Sequence, residues 1–190
     1  MRSKSCPAPD LSPISLRNDF RNDPILESAY EYWRSKCGTR AMPRRRDLDP
    51  TEIPRLLPHI QLTELLEGGN RIRYRLAGTA IVDAYGSELA GKYFDEVFSG
   101  ERLHFIAVNY RLMCNEKRPV FVLNRYQSSR DVELICTRLI MPLSEDGETV
   151  NQCLSALSFQ FPGDASTWYG QWLGGSGNFD CGSSYSKAIG

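Results

Sequence analysis

Histidine is nearly missing from this sequence: 190 residues contain two, His59 and His104. A serine or cysteine nucleophile needs a histidine base held by an acid, and neither histidine sits in such a motif. No catalytic residues are therefore assigned, and the chain is expected not to be an enzyme. Paired cysteines are missing too. Cys6, Cys37, Cys114, Cys136, Cys153 and Cys181 are scattered, with no Cys-x-x-Cys to suggest zinc or a redox dithiol. They read as free thiols, several buried as small hydrophobes. No apolar run approaches the roughly 20 residues that span a bilayer. The amino-terminal MRSKSCPAPDLS carries charge with no apolar run behind it, unlike a secretory signal. These absences lead to the expectation of a cytoplasmic chain without a membrane span.

Net charge is absent as well, since 23 lysines and arginines balance 23 aspartates and glutamates. The one basic cluster, Arg44-Arg45-Arg46, meets Asp47 and Asp49 at once. A nucleic-acid surface needs a longer basic stripe or interleaved aromatics, so no nucleic-acid partner is expected. The strings GTA and GGSG lack the lysine and the strand-loop-helix setting of a phosphate-cradling loop.

The informative residues centre on Arg71 to Phe98. Ile72, Tyr74 and Leu76 alternate with Arg71, Arg73 and Arg75, which predicts a strand with one buried and one wet face. After Gly78-Thr79, the residues Ala80, Ile81, Val82 and Tyr85 fall at helical spacing, and Gly86 suits a left-handed stop. A strand feeding short helices can build a concave pocket over a sheet.

Around this centre the chain divides into four parts. Residues 1–22 carry Pro7, Pro9 and Pro13 and few apolar groups, and are expected to be a loose arm. Residues 23–58 form a helical segment. Asp23 caps its first helix, Pro24 suits the first position, Gly38 the end, and Leu26, Ala29, Tyr30, Trp33 and Cys37 make the apolar stripe. Asp49 with Glu52 gives a capping-box pattern, and Pro54 restricts this second helical start to tight turns ending at Pro58.

Residues 59–161 form the core. Strands are predicted over 59–66 and 71–78, a long helix over 100–117 capped by Ser99, and three more strands over 120–126, 132–141 and 149–161. The turns between them carry Ser128-Ser129-Arg130-Asp131 and Glu145-Asp146-Gly147. The fold class is α+β, a five-stranded antiparallel sheet with a helical cluster and one long helix over one face, plus an amino-terminal helix. Residues 162–190 turn to glycine, serine and aromatics. One short helix is expected around Trp168, Tyr169, Trp172 and Leu173, with disorder beyond Gly174.

This order of elements, and several strings, resemble a PAS domain, and more narrowly a family of short, stand-alone bacterial PAS proteins. The strings are Tyr32-Trp33, Met42-Pro43 with Asp47, Asp49-Pro50 with Ile53-Pro54, Leu56-Leu57-Pro58, and Tyr74-Arg75-Leu76-Ala77-Gly78-Thr79. The resemblance covers about 30–161. It implies a sensory or regulatory module of signal transduction that binds a small molecule, a protein partner, or both. It names no cofactor. The Asn-Cys-Arg-Phe string of light-sensing flavin PAS domains is not in this sequence.

Where the resemblance places ligand sites, Tyr74, Thr79, Tyr85 and Tyr110 are candidate pocket residues, set against ordinary core packing. His104 lies on the long helix where some haem-binding PAS domains place an axial ligand, set against a partly exposed boundary histidine. Tyr30, Tyr32 and Trp33 are candidates for a homodimer or partner interface, because PAS domains often pair through such helices. Otherwise they pack on the sheet of their own chain. The remaining alternative is a pure interaction adaptor with a packed interior.

Overall fold

The computed structural model describes residues 20–127, 133–160 and 180–189. Six strands form one antiparallel sheet: β1 (Ile60–Leu66), β2 (Arg71–Ala77), β3 (Val120–Gln127), β4 (Glu133–Leu143), β5 (Gln152–Gln160) and β6 (Asp180–Ala188). Their spatial order is β2-β1-β5-β4-β3-β6. Four helices accompany them: α1 (Pro24–Cys37), α2 (Thr79–Tyr85), α3 (Phe94–Val97) and α4 (Gly100–Glu116). Among the described residues, no helix is long and apolar enough to cross a membrane.

The five central strands and their helices are as the periodicity predicts, but β6 is a correction. The stretch beyond Gly174 is expected to be disordered, yet Asp180–Ala188 adds to the β3 edge, with Val120 opposite Ala188 and Gln127 opposite Asp180. Its composition, DCGSSYSKA, has no apolar alternation to announce it. The pairing rests on main-chain hydrogen bonds offered by an edge strand. The helix expected around Trp168 and the turn expected at Ser128–Asp131 lie outside the described residues.

The sheet divides the core in two. On one face α2, α3 and α4 enclose Ile72, Tyr74, Ile81, Leu89, Phe94, Phe98, Ile106, Tyr110, Val122, Ile140 and Leu157. On the other, α1 and the 3-10 turns after it cover Ile60, Phe121, Leu123, Leu139, Met141, Leu154 and Ala156. Strand parity produces this division. In β4, Cys136 and Ile140 face the helix cluster, while Leu139 and Met141 face α1.

Local chemistry explains α1. Asp23 is its N-cap, and Oδ1 accepts from the amides of Ile25 and Leu26 at 3.0 and 3.3 Å. The five buried residues of the helix are the five of its apolar stripe. The turn before it falls within the stretch expected to be a loose arm. Phe20–Asn22 form a 3-10 turn, and the buried Phe20 ring meets Tyr30 edge-on at 5.0 Å.

The second cap differs from expectation. Asp49 accepts from the amide and hydroxyl of Thr51 at 2.9 and 2.7 Å, while Glu52 pairs instead with Lys36.

Candidate functional site

Strand β2 leads into the helix cluster through two local irregularities. Its register against β1 shifts between Leu62, opposite Leu76, and Thr63, opposite Tyr74. Arg75 is the extra residue of this bulge, and the alternation changes phase after it. Ile72 and Tyr74 point inward as predicted, but Leu76 turns out to 44% exposure. Gly78 comes next, with its amide donating to Ile60 O at 2.8 Å. A Cβ there would lie 2.1 Å from Leu57 O and 2.3 Å from Pro58 O, so only glycine fits beneath this turn. From Gly78 the chain enters α2, which ends at Gly86 in the left-handed region, φ 66° and ψ 14°.

The helix-side interior is an aromatic cage. Phe94 lies 4.5 Å from Tyr74, 5.9 Å from Phe98 and 5.3 Å from Tyr110, centroid to centroid, and Tyr85 lies 5.8 Å from Phe98. Polar atoms are embedded in it. The Tyr110 hydroxyl accepts from Gln61 Nε2 at 3.2 Å, and burial pushes its pKa up. The Tyr74 hydroxyl is fully buried and has no hydrogen-bond partner, and burial raises its pKa well above the usual phenol value. Cys153, beneath this group, is pushed up to about 12 by the same loss of water.

Arg138 is the charged member. It projects from the middle of β4 on the helix side and is 3% exposed, with Val122 and Leu157 opposite it on the flanking strands. One guanidinium nitrogen donates to the Tyr85 hydroxyl at 3.0 Å, and Nε has no partner. Burial disfavours its charge. The groups that favour it, Tyr85, Cys136, Tyr110 and Tyr74, do so only when ionised. At neutral pH Tyr74, Tyr110 and Cys136 are held uncharged by their raised pKa values. A second guanidinium, Arg102, lies 4.6 Å from the Phe98 centroid and 5.8 Å from that of Tyr85. Asn124, buried on the same face, leaves Oδ1 without a partner, as does Asn109 on α4.

The structure gathers Tyr74, Tyr85 and Tyr110 of the expected pocket residues into this cage. Thr79 is exposed at the start of α2. His104 is exposed on α4 and stands apart from the buried group, so its placement lends nothing to a haem-ligand role. His59 holds the carbonyl of Leu157 through Nδ1 at 3.1 Å. Among the described residues, no group of histidines, cysteines and acids is arranged to hold a metal ion.

The three interface candidates find partners within their own chain. Tyr30 and Trp33 are each 4% exposed, and Trp33 Nε1 donates to Pro142 O at 2.9 Å. Tyr32 bonds both the carbonyl and the amide of Asp49, at 2.9 and 2.7 Å. The aromatic face of α1 is occupied by its own sheet because β3, β4 and β5 are apolar on both sides, and the second side also needs cover.

Sequence reasoning missed Arg138, Asn124, Asn109, Gln61, Phe94 and Phe98. One signal was available for Arg138. It is the lone charge within Leu134-Ile135-Cys136-Thr137-Arg138-Leu139-Ile140-Met141, a run apolar enough to be buried on both faces.

A family model described as a PAS domain matches residues 21–158 of the chain. That span takes in both layers of helices and the five strands β1–β5. No curated protein matches the chain significantly.

Proposed function

From the chain's membership of the PAS domain family, a family of sensory and regulatory modules, we propose that it is a non-enzymatic sensor whose helix-side interior binds a small molecule. The observation that carries this is the set of buried polar atoms left unpaired in the cage: Tyr74 Oη, Arg138 Nε and Asn124 Oδ1. Buried polar groups are nearly always satisfied, and a group of unsatisfied ones calls for a missing partner.

The response passes through β4. Arg138 faces the cage, and the preceding residue, Thr137, faces α1, where its hydroxyl donates to Asp23 Oδ2 at 3.2 Å. Asp23 is the N-cap of α1. A ligand that moves Arg138 therefore moves the strand residue next to the start of α1. The helix then has two arrangements, one capped and one frayed, and a protein partner reads the difference.

Native mass spectrometry and an absorption spectrum of the full chain purified from cells test this reading. A bound small molecule, released on denaturation, supports it, as does faster exchange of the Ile25 and Leu26 amides once that molecule is removed. A chain at its bare mass, with no metabolite raising its thermal midpoint, makes it an adaptor that senses nothing.

A further inference from the structure

Resting on that reading of the interior as a ligand site, we infer that the ligand is an organic carboxylate with an apolar or aromatic body, and that Arg138 holds the carboxylate. A guanidinium keeps its proton in any folded protein, so Arg138 is a fixed positive charge inside the core. Among the described residues its guanidinium donates to the Tyr85 hydroxyl, and no carboxylate pairs with it. A buried charge without a counter-ion is strongly destabilising, whereas the same charge paired and hydrogen-bonded is tolerated. The partner such a charge calls for is an anion.

The donors define which anion. Arg138 Nε and the Tyr74 hydroxyl are buried and unused, and Tyr74 lies within electrostatic reach of Arg138, Tyr85 and Arg102. A guanidinium fork matches the planar geometry of a carboxylate, and the phenol adds a third donor. A doubly charged phosphate needs more donors than this to leave water. The other walls are the rings of Phe94 and Phe98, which suit the body of the molecule.

The test uses the full chain and its thermal midpoint in sodium formate, acetate, propionate, benzoate and phenylacetate, each compared with its own uncharged amide at matched ionic strength. The expected result is a concentration-dependent rise of several degrees with at least one acid and none with its amide. Arg138→Lys keeps the charge but loses the fork, and is expected to bind that acid roughly 10–100-fold more weakly. Arg138→Met is expected to lose the response while its acid-free midpoint is unchanged or higher, since a buried charge has gone. Should the methionine variant fail to fold, Tyr85→Phe removes the hydroxyl that positions the guanidinium and is expected to weaken the same response.

Equal rises with acid and amide overturn the carboxylate inference and leave the cage as a site for neutral ligands. An acid response that survives in Arg138→Met overturns it too, by placing the anion elsewhere. No response to any acid, with a neutral molecule found in the protein from cells, overturns the inference alone. No response and a bare chain mass overturn both it and the sensor reading.

Discussion

The two faces of the sheet are both buried, yet they are finished differently. On the α1 face the buried polar groups Asp23, Thr137 and Trp33 are bonded to one another or to the main chain, while Arg44 Nε and Gln152 Oε1 at its margin have no partner. On the α2–α4 face, Tyr74, Arg138, Asn109 and Asn124 each keep an unpaired atom under equal burial. Folding alone favours the first arrangement. The second costs stability, because a buried donor or acceptor left unpaired carries its desolvation penalty uncompensated. Under the proposed function the α1 face is the closed one and the α2–α4 face the receiving one.

Breaking the closed face gives the largest expected effect. Trp33→Ala removes the ring that fills the α1–sheet interface and its bond to Pro142, and about 3–5 kcal/mol of stability is expected to go in chemical denaturation. A loss below about 1 kcal/mol would show that α1 does not cover the sheet. The joint between the faces comes next. Gly78→Ala drives a Cβ against the Leu57 and Pro58 carbonyls, with about 1–3 kcal/mol lost, because those atoms are main chain and cannot swing aside.

Alkali acts on the receiving face. Cys153 has an ordinary thiol value of 9.0 when unfolded and is pushed up to about 12 when folded. Between those values the unfolded chain sheds a proton that the folded chain keeps. The contribution of Cys153 is therefore intact below pH 9 and falls by about 1.4 kcal/mol per pH unit as pH rises toward 12. Cys153→Ala is expected to flatten that part of the stability–pH curve, and an unchanged slope would assign the loss to other groups.

The sharpest contrast comes from two small deletions. Asp23→Ala, on the closed face, is expected to remove about 1 kcal/mol through the lost cap and the lost bond to the Thr137 hydroxyl, which keeps only its longer bond to Ser158 O. Tyr74→Phe, on the receiving face, deletes a hydroxyl that has no partner. Its expected effect on the ligand-free protein is within about 0.5 kcal/mol of zero or stabilising. Equal costs for the two in equilibrium unfolding would erase the distinction between the faces.

Much of this fold was legible because local rules govern it. The Asp23-Pro24 start and the 26-29-30-33-37 stripe specify α1 down to its buried residues, and Gly86 stops α2 as its conformational freedom suggests. The tyrosines of the cage were legible as candidates because Tyr74, Tyr85 and Tyr110 each sit at an inward-facing position of a predicted element. Leu76 was misjudged because a bulge is a property of two paired strands, and alternation within one strand cannot report it. β6 was missed because it borrows its pairing from the edge of β3.

By itself, then, the sequence determined the helices α1, α2 and α4, the strands β1–β5, their order and the family to which the chain belongs, since these depend on spacing, caps and turn residues close together in the chain. Only the tertiary structure decided that α1 lies on its own sheet, that His104 faces out, and that Arg138 lies buried among three tyrosines with no carboxylate beside it among the described residues. Those facts depend on which distant residues meet. A buried charge shows its meaning only when the groups around it, and the partner it lacks, can be seen together.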